Sequence, residues 1–462
     1  MHRRRTHGRR VPCASVALVL AALLCALSAC GSRLPERDFH DRGPAPSAAG
    51  PAPNGVDGAN TASDVGVTPT EITVGMIDTV QGLLGNETFS GPMYGAQAYF
   101  KALNDRGGVN GRRVKVSACD DTGYGVANQR CARKLVEDDK VFAFAGNSIY
   151  SYNAAQYVSD KAVPDIGGQP IGTAYETYPH LYSIYGSRAP RDGKVGWNGE
   201  LYASTEVYRY FKDKLGARTA AVVSYNQADS ARYAQTVADG LRAEGYTVLD
   251  KQVDFALPNF AAAVVDMRAK GVDIVFDAVD TRGNVELCKA MDGAGLRVTA
   301  KVTNVQNWNA RVGADFKASP TCRNSIYATG NSRSYADTAH PAVADFRAAM
   351  KKYYPDREDK LSQWELEGWA SAMWLTDAVA SCGAQVTRAC VERFVTRPEG
   401  YDAHGLLIPV DFKPEPVSRV AAPARTCFDV ARWQDDAPAG WVTQVPEMTT
   451  NCFDVPSLPY RP

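Results

Sequence analysis

The stretch Glu71-Ile72-Thr73-Val74-Gly75-Met76-Ile77, followed by Ser90-Gly91-Pro92 and then by Gly107-Gly108-Val109-Asn110-Gly111, decides the fold. Ile72, Val74 and Met76 alternate with their neighbours, the period of a strand with one face turned to a core. Pro92 suits the first position of a helix, where its missing N–H would have no partner. Met93, Ala96, Phe100 and Leu103 then recur at helical spacing. The glycine-rich run stops that helix, and residues 113–118 supply a second strand leading to Asp120-Asp121. A strand, loop, helix and strand in this order form the unit from which parallel sheets are built.

These features, with the run Asn-x-x-Gly-Gly-Val-Asn-Gly from Asn104 to Gly111, resemble the leucine/isoleucine/valine-binding family. Its members are type I periplasmic substrate-binding proteins of ABC transporters. The resemblance extends more loosely from about residue 70 to about residue 435. It implies an α/β fold of two doubly wound, Rossmann-like lobes joined by a three-stranded hinge, which closes on a small-molecule ligand. The closed form would be read by ABC permease subunits. A monomer without a cofactor is expected. The helix beginning at Pro92 would aim free N–H groups at a carboxylate or other anion.

The start of the chain reads as an export signal. Arg3, Arg4, Arg5, Arg9 and Arg10 form a basic region, and residues 16–27 form an apolar run. That run falls short of the roughly 20 residues that span a bilayer. Leu27-Ser28-Ala29-Cys30-Gly31 looks like a lipoprotein processing site, which implies lipid on Cys30 and a membrane anchor on the outer face of the cytoplasmic membrane. An ordinary signal peptide with a coincidental cysteine is the alternative. Beyond it, Pro, Ala, Gly, Ser and Asn crowd the chain to about residue 65, a composition unable to bury a core and suited to a tether. The expected division is a signal at 1–29 and a tether at 30–65. The first lobe follows at 66–185 plus about 328–384, and the second at 186–327 plus about 385–440, with an extension at 441–462.

Lys+Arg and Asp+Glu balance at 51 each, which leaves no basic footprint for nucleic acid. No second long apolar run appears, so the exported body is expected to be soluble. Of 11 cysteines, eight lie beyond Cys30: Cys119, Cys131, Cys288, Cys322, Cys382, Cys390, Cys427 and Cys452. An even number suits disulfides in an oxidising compartment, and eight cysteines allow roughly 105 pairings. Neighbour pairing (119–131, 288–322, 382–390, 427–452) is the simplest. No two cysteines have C-x-x-C spacing and histidine is scarce, which argues against a metal.

The loops after successive strands carry the expected ligand contacts. Gln81 and Ser90 follow the first strand. Asn147, Ser148, Tyr150 and Ser151 follow an apolar strand at 141–145, and Gln169 follows the next, at 163–167. The family holds its ligand with a serine in the first of these two later loops, and Ser148 and Ser151 both qualify. Residues 181–185 end the first lobe, and the βα rhythm restarts with a helix over 201–215 and strands at 219–224, 248–253, 274–276 and 302–304. Tyr225, Asp277, Asp280, Gln306 and Trp308 follow these strands. They would suit a ligand with an amino or aromatic group, although Asp277 and Asp280 would serve equally as helix caps. Residues 326–329 return the chain to the first lobe, helices at 342–354 and 364–380 follow, and 405–412 and 427–433 read as strands. The tryptophans of the 364–380 helix read as packing.

The sequence shows no G-x-S-x-G, H-E-x-x-H or phosphate-loop pattern, and its histidines are scattered, so no enzyme is expected. The remaining choice lies between a transporter's binding protein, for an amino acid, amide or aromatic acid, and a sensor module handing its ligand to a membrane receptor or kinase.

Overall fold

The opening unit forms as read: strand β1 (Glu71–Asp78), helix α1 (Gly91–Asp105) and strand β2 (Arg113–Asp120). The computed structural model describes residues 59–82, 89–303, 305–414, 424–438 and 440–462. The signal, Cys30, the tether up to residue 58 and Asn304 lie outside the described residues. The turn between α1 and β2 shows why its sequence is so particular. A Cβ on Gly108 would stand 1.9 Å from the Arg112 carbonyl oxygen, and its φ of +81° favours glycine as well. Asn104 clamps the new strand: Nδ2 donates to the Val114 carbonyl and Oδ1 accepts from the Val114 amide, each at 2.8 Å. Asn110 Nδ2 reaches the carbonyls of Ala380 and Gly383, both at 3.2 Å, where a distant helix ends and its last carbonyls lack intrahelical donors.

Helix α2 (Gly125–Arg133), β3 (Ala143–Ala145), α3 (Ala155–Asp160), β4 (Asp165–Gly168) and β5 (Leu181–Ser183) complete the first lobe's sheet. Its order is β2-β1-β3-β4-β5, parallel throughout. After a crossing, β6 (Leu201–Ser204) and α4 (Glu206–Leu215) precede β7 (Thr219–Tyr225), α5 (Ala228–Ala243), β8 (Thr247–Val253) and α6 (Phe260–Ala269). Then come β9 (Ile274–Ala278), α7 (Thr281–Gly293), β10 (Ala300–Thr303), α8 (Val312–Asp315), α9 (Pro320–Arg323) and β11 (Ile326–Gly330). The parallel order β8-β7-β9-β10-β11 repeats that of the first lobe. The chain returns through α10 (Pro341–Tyr353), α11 (Gln363–Ser381) and α12 (Arg388–Val395), then supplies β12 (Ala424–Cys427), β13 (Asp429–Trp433), β14 (Trp441–Thr443), β15 (Cys452–Val455) and β16 (Ser457–Tyr460). Strands β13 and β14 extend the second sheet antiparallel beyond β11. Two α/β lobes with twisted sheets and flanking helices result. Among the described residues no helix is long and apolar enough to cross a membrane.

Some local readings change. Residues 201–204 are the strand β6, paired with β16, and the helix starts only at Glu206. Residues 405–412 form turns with isolated bridges at Leu407 and Val410 in place of a strand. The strand read at 427–433 is two, β12 and β13, with different partners. Residues 326–329 belong to the second sheet, and the crossing follows them. Helix α12 packs on α11, and Phe412 meets Tyr182 at 5.0 Å and Trp374 at 5.9 Å between ring centroids. The chain thus stays with the first lobe beyond the boundary read near 385. The last 22 residues are built in: β14 edges the second sheet, β15 pairs with β12, and β16 pairs with β6. The four disulfides are those of neighbour pairing: Cys119–Cys131, Cys288–Cys322, Cys382–Cys390 and Cys427–Cys452.

Helices α1 and α11 lie on one face of the first sheet and meet backbone to backbone. A Cβ on Gly95 would stand 1.8 Å from the Glu365 carbonyl oxygen, and one on Gly368 would stand 2.0 Å from that of Pro92. No rotamer change relieves a clash with backbone, so the helices must separate. Gly368→Ala should therefore destabilise the protein by about 1–3 kcal/mol, in the range of overpacked cores, read as a lower urea midpoint at unchanged slope.

Candidate functional site

In each lobe the strand order reverses beside the first strand, and ligands of open α/β sheets collect outside the carboxyl ends at such a point. In the first lobe this point lies between β1 and β3, where Asp78 and Ser148 bridge. In the second it lies between β7 and β9, where the Tyr225 hydroxyl donates to Asp280 Oδ1 at 2.8 Å. A cavity of about 520 Å³ opens between the lobes, lined by Phe89 on one side and by Asp280, Arg282, Val285, Gln306 and Arg311 on the other.

On the first lobe most expected contacts are already engaged. Asn147 Oδ1 accepts from the Ile77 amide at 2.8 Å, and its Nδ2 donates to Asp165 Oδ2 at 3.0 Å. Ser151 donates to Asn153 Oδ1 at 2.8 Å within its own turn. Gln169 Nε2 donates to Glu367 Oε2 at 2.7 Å, inside the protein. Ser90 stands buried at the head of α1 without capping it, and Gln81 is exposed. Ser148 differs. Among the described residues its buried hydroxyl has no partner, and neither has either carboxylate oxygen of Asp78. Burial first, and Asp121 next, push the Asp78 carboxyl well above the ordinary range, which favours its neutral acid form. The start of α1 is not an open anion site: Glu365 Oε2 would lie 3.1 Å from a Cβ on Gly91, so a carboxylate of the chain already stands there.

Two residues not expected at the site join it on this side. Phe89 stacks on Trp364 at 5.6 Å and meets Tyr150 at 5.8 Å, and Tyr150 is 37% exposed. Helical spacing had assigned Trp364 to packing together with Trp369 and Trp374. Those two pack internally, against Tyr99 and Tyr401, and Trp364, second in α11, is buried as well and reaches the site only as the ring behind Phe89. Phe89 directly precedes Ser90-Gly91-Pro92, which was the available signal.

On the second lobe, Asp277 is committed to a closed interior network. Lys301 Nζ approaches Asp277 Oδ2 at 2.8 Å with both side chains fully buried, and Asn284 Nδ2 donates to Asp277 Oδ1 at 2.9 Å. A buried pair that loses one partner leaves an uncompensated charge, so this network fixes β9, β10 and α7 together. Asp280 caps α7 by accepting from the Gly283 amide at 2.8 Å while also lining the cavity. Trp308 is wholly buried against Trp441, with ring centroids 6.1 Å apart. Of the residues read from sequence on this lobe, Asp280 and Gln306 line the cavity, and Arg282 was missed although it lies two residues beyond the Asp280 cap. Arg282 is exposed, whereas the nearby Arg311 is paired with Asp315 at 3.0 Å.

Next to the Ala310 amide, which donates to the Leu361 carbonyl at 2.8 Å, the Gln363 amide donates to the Trp308 carbonyl at 2.9 Å. With a bridge between Asn309 and Ser362, these bonds join the second lobe's loop after β10 to the first lobe's approach to α11.

A sequence model of the family described as "Periplasmic binding protein" matches residues 71–438. No curated protein sequence matches the chain. Among solved structures, the fold is similar to a fatty acid ABC transporter substrate-binding protein from Thermomonospora curvata, with a TM-score of 0.63 and 16% identity over 87% of this chain and 96% of that one. It is also similar to the branched-chain amino acid transporter substrate-binding protein LivJ from Streptococcus pneumoniae in complex with isoleucine, with a TM-score of 0.59 and 15% identity over 84% and 100%. A solute-binding protein of an ABC transporter from Rhodopseudomonas palustris, in complex with 3,4-dihydroxybenzoic acid, gives 0.56 and 17% over 85% and 99%.

The Asp165 beneath Asn147 also accepts from the hydroxyls of Tyr152 (2.8 Å) and Tyr175 (2.9 Å), yet burial dominates and pushes its carboxyl up from 3.8 to about 6. A carboxyl whose folded value is raised favours the native state while protonated. That contribution is complete below about pH 3.8 and is lost as pH rises through about 6. Asp165→Asn should thus flatten the fall in stability between pH 4 and pH 7 by up to about 3 kcal/mol, measured by urea unfolding at both pH values. Asp429, also raised to about 6 by burial, would supply the slope that remains.

Proposed function

The chain belongs to the periplasmic binding protein family, and from that premise we propose that it closes on a small molecule outside the cytoplasm and delivers it to the permease of an ABC importer. The observation that carries this reading is the cavity between the carboxyl ends of the two sheets, lined from both lobes. Its walls differ in character. Phe89, backed by Trp364 and Tyr150, offers aromatic faces, whereas Arg282 and Gln306 offer a cation and an amide. A ligand with an apolar or aromatic portion and a carboxylate fits this division, and an aromatic acid fits better than a plain amino acid. Two of the similar structures are complexes with isoleucine and 3,4-dihydroxybenzoic acid, which supports both ligand classes as candidates. Lipid on Cys30 would hold the protein at the membrane and keep it near its permease, stably so where more than one acyl chain is attached.

A thermal-shift screen of amino acids, amides and aromatic acids tests the reading, because a ligand that binds the native state raises its melting temperature by mass action. An aromatic acid should raise it most, and Arg282→Ala should weaken that ligand at least about tenfold, close to 1.4 kcal/mol. Absence of any stabilising small molecule would overturn the binding reading. In the source cells, deletion of the chain should abolish uptake of the same labelled ligand. Unchanged uptake would move the function to sensing.

A further inference from the structure

A second cavity, of about 440 Å³, reaches Ala310 and Leu361 of the contact between 308–310 and 361–363. The second lobe lines it with Arg323, Trp433 and Asp435, and the chain returning to the first lobe lines it with Tyr335, Arg347 and Glu358. Its polar groups are out of balance. Asp435 is saturated: it accepts from Arg323 at 2.5 Å, from the Trp433 indole at 2.8 Å and from Asn324 at 2.7 Å. The donors are not saturated. Tyr335 is 2% exposed, and among the described residues neither its hydroxyl nor the buried Arg323 Nε has a hydrogen-bond partner. Arg347 stands half-buried on α10 near that hydroxyl, with no carboxylate in ion-pair range among the described residues. Glu358 is exposed at the rim.

A site with surplus donors and a half-buried guanidinium calls for an acceptor-rich guest, since buried polar groups are normally paired. We propose that this cavity is a second binding site, for a small oxyanion bearing carboxylate or phosphate groups, held by Arg347, Tyr335 and Arg323. Because its walls come from both lobes, the bound anion joins them. By linkage, any effect it has on affinity in the cleft is returned in equal measure.

The purified protein, without any cleft ligand, is titrated with citrate, succinate or inorganic phosphate at constant ionic strength, with chloride as the control. At least one probe should bind saturably by calorimetry and raise the melting temperature. Arg347→Gln and Tyr335→Phe should each weaken it tenfold or more, while Arg282→Ala, in the cleft, should leave it unchanged. Tyr335→Phe keeps the packed ring, so it remains informative if Arg347→Gln is poorly folded. Action by citrate and succinate alone assigns carboxylates, and action by phosphate alone assigns phosphates. A response that merely follows ionic strength, survives both variants or vanishes in Arg282→Ala overturns the proposal. Failure of the cleft screen would not affect this test, since the two use different ligands and residues.

Discussion

A carboxylate buried in the middle of a helix governs how the two lobes are joined. Glu367 of α11 is wholly buried, and it accepts from Gln169 at 2.7 Å, from Ser332 at 2.6 Å and from the Tyr185 hydroxyl at 2.9 Å. Burial alone raises its proton affinity, and each donor works against that. Removing one donor would leave a buried acceptor unmet, at a cost of about 1–3 kcal/mol. The donors come from three separate places: the loop after β4, the first crossing and the second crossing. One carboxyl group therefore holds both crossings at the first lobe's edge. Gly95 and Gly368 fix α11 against α1 at backbone distance, so the anchor itself has little freedom. Rotation of the lobes must be taken up on the second lobe's side of these bonds.

The same network explains why Gln169 was a reasonable expectation and is not an open contact. Its position after a strand is the right one, but a sequence shows the residue type and not its partner, and Glu367 lies 198 residues away. Asp277 repeats the lesson, since Lys301 hides in an otherwise apolar strand and takes it inward. What could be read was local. The α1 to β2 turn was legible because each of its residues meets a requirement within a few positions: a helix start at Pro92, a positive φ at Gly108, the Asn104 clamp on Val114. The disulfides were legible because every pair encloses a short stretch. Strands β6 and β16 were not. They pair across some 250 residues, and the apolar spacing of 201–215 continues that of the helix it precedes.

The lobes share an order of strands but not a chemistry at the point where that order reverses. In the second lobe, Asp280 is satisfied twice, by Tyr225 and by the start of α7. In the first, the side chains of Asp78 and Ser148 have no hydrogen-bond partner among the described residues. A charged Asp78 would repel the very carboxylate that the opposite wall, with Arg282, is suited to meet. The upward push on its proton affinity removes that conflict, because the neutral acid neither repels an anion nor needs a cation. An acidic residue at this position is therefore compatible with an acidic ligand, provided it stays buried.

The loop 306–311 borders both cavities: Gln306 and Arg311 line the cleft, and Ala310, bonded to Leu361, lines the second. Main-chain hydrogen bonds there have little room to stretch before they break, so the lobes move past each other either with this contact intact as a pivot or only after it is lost. With the pivot intact, rotation of the lobes changes the width of both spaces, because each is lined from both lobes. A guest on either side then opposes or assists closure according to which width it fits, without any further contact between the sites. Trp308 lies in this loop, fully buried, and its carbonyl accepts from the Gln363 amide. Its place in the sequence pointed to a ligand, and its place in the fold makes it part of the axle.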